Sequence, residues 1–531
     1  MLFTSYGFIG SVLILFVLYY TIPKRLRPAL LLIFSLIIYG MADVRYLIYI
    51  GISVVTVWYA ALGIEKNNKT IKDYIKQHKT EMSATERKAY KKLKGRKSLL
   101  FFLAGLFINL GILAVVKYSG FVVSGIWHIL SSGTDGVPKI PDMLVPLGIS
   151  FYTFQSLGYL IDVYRENIDA EHSLPRYALF ITFFPQLVQG PINRYEDLAP
   201  TLLTPHDADF NVISRGLQRI LWGYFKKLVI ADRLLMGVTT LIGDTSLYRG
   251  GYVLVMMLFY TLELYADFTG GIDITIGIAE TLGISMKENF IRPYLSTSLA
   301  DYWRRWHISM CSWFRDYVFY PVSTSNASIR LSKWARKHIS DSAGGKLPVY
   351  LSSFVVWACT GIWHGASLNF LVWGLLNFLV LTISEELSPL YDRFHKRFLF
   401  SESFPYHVFM ILRTFVLICV LNLFDCFTDV RDTLGLLGSI FTRGSFSSME
   451  KGALLGIGLG VSDYVIAVIA LIAVLTVSII EEKYDSSIRD MIRRRPYVFR
   501  FAIWTCLFLA TIIFGVYGIG YDSSQFIYNR F

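Results

Sequence analysis

Long apolar segments recur along the chain, separated by short polar or basic stretches. Each is long enough, alone or with its flanks, to cross a hydrocarbon core that requires ~20 helical residues. The clearest are residues 8–20, 28–39, 46–64, 99–118, 253–265, 404–427, 463–480 and 499–517. This pattern predicts an all-α polytopic membrane protein with roughly eleven transmembrane helices.

Glycine and proline interrupt the apolar pattern at three places. The sequences are VPLGIS at 145–150, FFPQLVQGPI at 183–192 and ENFIRPY at 288–294. Non-helical backbone at membrane depth is tolerated only where it is buried in protein or lines a wet cavity. We therefore predict one integral-membrane domain over residues 1–531, with interfacial or re-entrant helices around an interior.

Composition and charge support a membrane location. The chain is 54% hydrophobic and only 17% charged, whereas soluble domains have about a quarter charged residues. Residues 65–98 contain twelve basic and four acidic side chains, which gives +8 of the net charge of +12. The positive-inside tendency predicts that this stretch is a cytoplasmic loop between spans, close to anionic lipid headgroups, and that 131–142 faces outside. We expect no nucleic-acid partner.

The cysteines do not suggest a metal site. The five cysteines, at 311, 359, 419, 426 and 506, form no C-x-x-C pair and have no histidine at a zinc-binding spacing. We assign them to packing and expect no metal.

A histidine lies inside the apolar segment 347–383, in the sequence GIWHGASLNFLVWG at 361–374. A continuous helix of this length would run ~55 Å, so the segment must break. The break is expected at 361–367, which puts His364 at or near a helix junction. Gly361 and Gly365 also form a G-x-x-x-G motif. Close approach of another helix explains these glycines as well as a functional role of His364 does.

A second histidine lies in DYWRRWHISMCSWFRDYVFYP at 301–321. Aromatic and methionine side chains recur there at three- and four-residue intervals, while Arg304 and Arg315 fall on the opposite face and His307 lies toward the edge. The spacing predicts one amphipathic helix that lies in the interface or lines a cavity. Such stripes are usually interfacial anchors, and His307 is the feature that argues for more.

Carboxylates within apolar segments are candidates for function, because a charge at mid-bilayer is costly. Asp162, Glu263, Asp267 and Asp273 are of this kind, and an interior would let such groups pair with Arg304, Arg305 or His307. Buried carboxylates and broken helices are also features of proton- or ion-coupled transporters, which form the rival functional class.

The motifs together resemble the membrane-bound O-acyltransferases (MBOAT), specifically the bacterial branch that O-acetylates alginate. The resemblance runs nearly from end to end, with the two histidines 57 residues apart. It departs at the longer segment 323–346, at Gln189 and at Gly271. It rests on VPLGISFYTFQSLGYLIDVYR, FFPQLVQGPINR, GYFKKLVIADR, ADFTGGIDITIGIAETLGI, YWRRWHISMCSWFRDYVFYP, GIWHGASLNFLVWG and the terminal SSQFIYNRF.

The resemblance implies the MBOAT fold, helices enclosing a tunnel, and transfer of an acetyl group from a cytoplasmic thioester toward polysaccharide hydroxyls outside. A neutral imidazole can take the proton of a hydroxyl as it attacks a thioester, and we expect His364 to be this base. His307 is expected to be the second catalytic residue and to position substrate; binding the acceptor or stabilising the oxyanion are its alternatives. The expected substrate-binding residues are Trp306, Arg304, Trp363, Asp267 and Arg315.

Donor, partner and location follow from the same resemblance. The donor is expected to be acetyl-CoA or another acyl thioester, with no tightly bound cofactor. Lys226 and Lys227 are candidates to attract donor phosphates, although positive-inside anchoring explains them as well. An extracellular SGNH-hydrolase-like acetyltransferase is the expected partner, in a bacterial cytoplasmic membrane. Relatives that move D-alanine onto teichoic acid share the two-histidine plan and give the alternative function.

Overall fold

The computed structural model describes residues 3–130, 145–442, 449 and 452–517. All regular secondary structure in these residues is helical. The prediction of an all-α protein is therefore confirmed. The segments 131–142 and SSQFIYNRF, for which the sequence made predictions, lie outside the described residues.

Twenty-two α-helices follow one another within the described ranges. The first eleven are α1 Tyr6–Thr21, α2 Arg27–Ala42, α3 Tyr46–Gln77, α4 Ala84–Leu130, α5 Ile149–Tyr164, α6 Leu174–Thr182, α7 Phe184–Gln189, α8 Tyr195–Leu202, α9 Phe210–Tyr224, α10 Asp232–Gly243 and α11 Gly251–Thr281. The others are α12 Leu299–Arg305, α13 Ile308–Phe314, α14 Tyr320–Ser323, α15 Asn326–His338, α16 Asp341–His364, α17 Leu368–Arg397, α18 Phe404–Cys426, α19 Val430–Ser439, α20 Val461–Tyr484, α21 Ile488–Arg493 and α22 Tyr497–Phe514.

Shorter helical segments connect some of these helices. Two are π-helical, Phe225–Ala231 between α9 and α10 and Arg315–Phe319 between α13 and α14. The 3₁₀ turns are Lys24–Leu26, Pro293–Leu295, Leu399–Glu402 and Ala453–Gly456.

Eight helical segments in the described residues are long and apolar enough to cross a membrane. They are Lys24–Ala42, Tyr46–Gln77, Ala84–Val123, Gly251–Thr281, Leu368–Arg397, Phe404–Cys426, Val461–Tyr484 and Tyr497–Phe514. α1 is equally apolar but shorter, with 16 residues. The polytopic architecture is thus confirmed, while the number of roughly eleven crossings stays a prediction.

The chain forms two compact units. The first contains residues 1–213 and 278–287, and the second contains 214–277 and 288–531. The single integral-membrane domain over 1–531 stays a prediction. Both candidate histidines belong to the second unit.

In the first unit, the basic stretch 65–98 is mostly helical, and its cytoplasmic location between two spans stays a prediction. α3 continues to Gln77 and α4 begins at Ala84, which leaves only residues 78–83 as a turn. Lysine, glutamate and leucine are good helix formers, and few breakers interrupt them here. The two helical arms also pair with each other: the rings of Tyr74 and Tyr90 stack at 4.4 Å, and Asn67 Nδ2 donates to Ser98 Oγ at 2.8 Å.

The predicted interruptions of the first unit are confirmed. Residues 145–148 precede α5 without helical structure, and residues 190–194 separate α7 from α8. Gly148 has φ of +69°, and a Cβ there would overlap the carbonyl oxygen of Leu187. Glycine is therefore required at this position by both conformation and space.

In the second unit, the hydrophobic core surrounds α11. Val229, Ile230 and Ala266 pack with Ala467 and Val474 of α20 in one fully buried cluster. A second cluster joins α10 and α11 to α18 through Leu241, Val253, Met256, Cys419 and Leu423. These contacts fix α11, which carries several of the candidate site residues.

Candidate active site

His364 lies at a break between two antiparallel helices. α16 ends at His364 and α17 begins at Leu368, and the intervening Gly365 and Ser367 are extended. The predicted helix junction is therefore confirmed. The histidine is held at the end of a helix, next to backbone that does not continue the helix.

The glycines around His364 allow the two helices to touch. A Cβ on Gly361 would overlap the carbonyl oxygen of Phe370, and a Cβ on Gly374 would overlap that of Trp357. A Cβ on Gly365 would overlap the Phe370 ring. Close packing is thus a real purpose of the G-x-x-x-G motif, with α17 as the neighbour. It brings aromatic side chains from both helices around the imidazole.

The His364 imidazole is surrounded by aromatic rings. Its centre lies 5.0 Å from that of Trp363, 4.8 Å from that of Trp373 and 6.2 Å from that of Phe370. The residue is only partly buried. The imidazole therefore lies against a weakly polar wall.

The helix predicted over 301–321 is wrong, because the structure breaks it at the second histidine. α12 ends at Arg305 and α13 begins at Ile308, with His307 in the left-handed conformation at φ of +46°. The partner of this backbone is the segment 288–292: Ile291 N donates to Arg305 O at 2.9 Å, and Ile308 N donates to Asn289 O at 3.0 Å. These two hydrogen bonds satisfy groups that a continuous helix would have used internally.

His307 is buried beside the same indole that contacts His364. His307 is only 1% exposed. Its ring centre lies 5.0 Å from that of Phe268 and 6.1 Å from that of Trp363. Burial lowers the pKa of His307 to about 3, so the imidazole is neutral at physiological pH. Trp363 therefore brings together the two predicted histidines.

The other predicted residues divide into two groups. Trp306 is buried and its ring lies 5.9 Å from that of Phe268, so it belongs to the aromatic cluster around His307. The Arg304 side chain is 75% exposed and pairs with Asp301 at 3.4 Å. The Arg315 side chain is 58% exposed and pairs with Asp316 at 3.0 Å. The two arginines therefore lie at the surface of the unit.

Asp267 and Lys227 form a buried ion cluster. Lys227 Nζ lies 2.5 Å from an Asp267 carboxylate oxygen and 2.8 Å from an Asp232 carboxylate oxygen, and all three side chains are at most 2% exposed. Taking charged groups out of water is costly, so each buried carboxylate depends on its close pair with Lys227. It anchors α11 to the end of the π-helical segment.

Lys226 lines a cavity of about 490 Å³. Its Nζ bonds to Asp273 at 2.7 Å and to Thr269 at 2.8 Å, and Asp273 also accepts from Arg219 at 2.9 Å. The indoles of Trp222 and Trp504 are among the apolar walls. The cavity thus offers a polar network beside an apolar surface.

Two neighbours of the histidines were missed by sequence reasoning. Trp373 contacts His364 from α17, and Asn289 contacts His307 from segment 288–292. Trp373 falls inside the quoted GIWHGASLNFLVWG sequence, nine residues after His364, and a helical hairpin would have suggested the contact. The ENFIRPY sequence signalled an irregular backbone, but no local pattern links it to His307.

Comparison with known proteins defines the class. Residues 165–330 and 328–426 match the sequence profile of the MBOAT, membrane-bound O-acyltransferase, family. The probable alginate O-acetylase AlgI of Pseudomonas syringae pv. tomato is 30% identical over 479 residues, covering 88% of this chain and 80% of that protein. The chain belongs to the membrane-bound O-acyltransferase family.

Two further relatives act on other cell-envelope polymers by name. The peptidoglycan O-acetyltransferase of Helicobacter pylori is 28% identical over 74% of this chain and 70% of that protein. The teichoic acid D-alanyltransferase of Bacillus subtilis is 28% identical over 49% of this chain and 64% of that protein. The protein is therefore an O-acyltransferase that uses an acyl donor. It is a multi-pass protein of a bacterial cytoplasmic membrane.

Proposed function

We propose that the protein moves an acetyl group from a cytoplasmic thioester donor across the membrane toward the hydroxyls of an exported polysaccharide. The observation that carries this proposal is the pair of histidines whose ring centres lie 6.1 Å (His307) and 5.0 Å (His364) from that of Trp363. The pair occurs in a chain that matches an alginate O-acetylase over most of its length.

His364 is the general base in this proposal. The acceptor hydroxyl oxygen attacks the carbonyl carbon of the thioester while His364 takes the hydroxyl proton. Collapse of the tetrahedral intermediate breaks the C–S bond, and the proton passes from His364 to the departing thiolate. The products are an O-acetyl ester and a free thiol. Gly361 and Gly365 hold the ring close to α17, because a Cβ at either position would overlap Phe370.

His307 positions the substrate, with Trp306 and Trp363 as walls. The ring is neutral, and the aromatic surroundings exclude water, which protects a thioester from hydrolysis. Asp267 and Lys227 are buried and paired within the cluster that includes Asp232, so we reassign both from substrate contact to support of α11. Arg304 and Arg315 remain only as outer contacts for an anionic substrate.

The donor is acetyl-CoA or another acyl thioester. Lys226 is the stronger of the two lysine candidates, because it lines an open cavity whereas Lys227 is enclosed by carboxylates. The immediate acceptor is a hydroxyl on an extracellular SGNH-hydrolase-like partner, which completes the transfer to polysaccharide. Two named relatives support a polymer acceptor, since they acetylate alginate and peptidoglycan.

D-alanyl transfer to teichoic acid is the second candidate, supported by a relative that covers 49% of this chain. The longer match to an alginate O-acetylase, 88% of the chain, favours acetyl. A proton- or ion-coupled transporter is the alternative from another class.

The test uses the full chain in proteoliposomes with isotopically labelled acetyl thioester supplied on the cytoplasmic face. The proposal expects covalent acetate on a hydroxyl acceptor on the other face. When a D-alanyl thioester replaces the acetyl thioester, little covalent transfer is expected. Flux of label without covalent transfer would identify a transporter, and preference for the D-alanyl donor would identify the second candidate. His338→Ala, an exposed histidine on α15, is the matched control for substitutions of the two site histidines.

A further inference from the structure

Asn289 holds the backbone and the ring of His307 at the same time. Its backbone oxygen accepts from Ile308 N at 3.0 Å, directly after the histidine. Its side-chain Oδ1 lies 3.3 Å from His307 Nδ1. Asn289 is 0% exposed, so no bulk water replaces these contacts.

The orientation of the Asn289 amide is fixed by a second neighbour. Ser309 N lies 3.0 Å from Oδ1, and Ser309 Oγ lies 2.9 Å from the same atom. A backbone N–H can only donate, so the amide atom that faces it must be the carbonyl oxygen and not the NH₂ group. The assignment therefore does not depend on the histidine.

This orientation decides where the proton of a neutral His307 lies. If Nδ1 carried its lone pair, two acceptors would face each other at 3.3 Å in a buried site. A proton on Nδ1 converts the same contact into a hydrogen bond at the long end of the usual range. The other ring nitrogen, Nε2, then carries the lone pair.

We propose that Asn289 is a positioning residue that locks His307 in the Nδ1–H tautomer, so that Nε2 is presented as a hydrogen-bond acceptor. This inference rests on the proposed function and refines the role of His307 in it. An acceptor nitrogen holds a hydroxyl or thiol substrate by its proton, and it does not donate to an oxyanion. The role of substrate positioning is therefore favoured over oxyanion stabilisation.

The charged groups that adjoin the residues in contact with the ring are ion-paired. The elements packed against His307 are α11 through Phe268, segment 288–292 and α16 through Trp363. The charged groups form four ion pairs, Asp267 with Lys227, which also pairs with Asp232, Glu288 with Arg219, Arg292 with Glu482 and Arg305 with Asp301, and His364 adjoins Trp363. A new carboxylate at position 289 is therefore the change to which the ring would respond.

The chain offers a nearly isosteric test. Asn289 Nδ2 has no hydrogen-bond partner within the described residues, so Asn289→Asp removes no donated bond. The new carboxylate still accepts from His307 Nδ1 and from Ser309, and it stabilises the protonated imidazole. Asn289→Ala removes the lock entirely. Ser309→Ala is the matched control, because it removes another buried hydrogen bond to Oδ1 without touching the ring.

The experiment records ¹⁵N spectra of the full chain labelled at histidine and reconstituted in lipid, with His307 assigned by its loss in His307→Gln. The wild type and Ser309→Ala should carry the proton on Nδ1, while Asn289→Ala should shift toward Nε2–H. Acetyl transfer should fall about tenfold to a hundredfold in Asn289→Ala and less than about threefold in Ser309→Ala. In Asn289→Asp, the acid limb of the pH profile should show a second ionisation, from His307, beyond the one that His364 as general base gives the wild type.

A wild-type proton on Nε2, or equal changes in Asn289→Ala and Ser309→Ala, would overturn the proposal. If Asn289→Ala does not fold, the wild-type spectrum and the pH profile of Asn289→Asp decide. The spectra require no turnover. A protein that fails to transfer acetyl would therefore refute the proposed function while leaving the tautomer measurable.

Discussion

The two candidate histidines lie at helix breaks of opposite origin. The break at His364 can be predicted from the local sequence, because glycines flank the histidine and the segment is too long for one crossing. At His307 the break occurs within an aromatic and basic sequence that contains no glycine or proline beside it. There the backbone pairs with segment 288–292, about twenty residues earlier in the chain.

The difference teaches that the backbone of the candidate site is stabilised in two ways. The glycines of the α16–α17 hairpin remove atoms so that backbones can meet. At the other break, the hydrogen bonds from Ile308 N to Asn289 O and from Ile291 N to Arg305 O stabilise a left-handed residue that a β-carbon disfavours. The first device is sensitive to added volume, and the second to loss of distant partners.

The largest effect is expected from adding volume at the first break. Gly361→Ala and Gly374→Ala place a Cβ against the Phe370 and Trp357 carbonyl oxygens, so the hairpin cannot close. We expect loss of most folded protein, measured by size-exclusion chromatography in detergent. Gly111→Ala is the control, since no atom lies within 4 Å of its Cβ. Normal folding of both hairpin variants would contradict the proposed packing.

The next effect concerns the support of the second break. Lys227→Met leaves Asp267 and Asp232 buried without their shared cation, and removing one partner of a buried ion cluster costs about 3 to 5 kcal/mol. Because Asp267 adjoins Phe268, the His307 side of the site should be lost with it. Thermal unfolding in detergent measures the cost. Lys24→Met, which removes the exposed pair with Asp207, should leave the midpoint unchanged.

His307→Ala should separate folding from function. The ring is neutral and removing it leaves no unpaired buried charge, so we expect folded protein and transfer lowered by about 10²-fold. Labelled acetyl incorporation at matched protein level measures the effect, with His338→Ala as control. Wild-type transfer in this variant would reduce His307 to part of an aromatic anchor.

The smallest effect is expected at the exposed arginines. Arg304→Ala and Arg315→Ala remove side chains that each pair with a neighbouring aspartate at the surface. Transfer should stay within about threefold of wild type, because exposed ion pairs contribute little. A loss of acetyl transfer as large as that expected for His307→Ala would show that the arginines contact the substrate.

Much of the fold could be predicted from apolar segment length and from glycine and proline. The helical content and the breaks at 145–148, 190–194 and 361–367 follow from local rules of backbone conformation. The helical hairpin of α3 and α4 could not be foreseen from charge alone, because charge indicates which side of a membrane a segment favours and says little about its backbone.

The candidate site was only partly predictable for the same reason. The helix junction at His364 could be predicted from its glycines and from the length of its apolar segment. The helix break at His307, its contact with Asn289 and the enclosure of Lys227 all depend on residues distant in sequence. Hydrophobic periodicity predicts the faces of a helix only as far as the helix continues. The helix that begins at Leu299 ends at Arg305, where hydrogen bonds to segment 288–292 replace those within the helix.

The most direct test of the central claim, that His364 is the base, is chemical rescue of His364→Ala in proteoliposomes. Transfer of labelled acetyl from thioester to acceptor hydroxyl should fall about 10²- to 10⁴-fold at equal amounts of folded protein. Added imidazole should restore part of the rate, because the space left beside Gly361 and Gly365 has the shape of the missing ring. Undiminished acetyl transfer in His364→Ala would contradict the account.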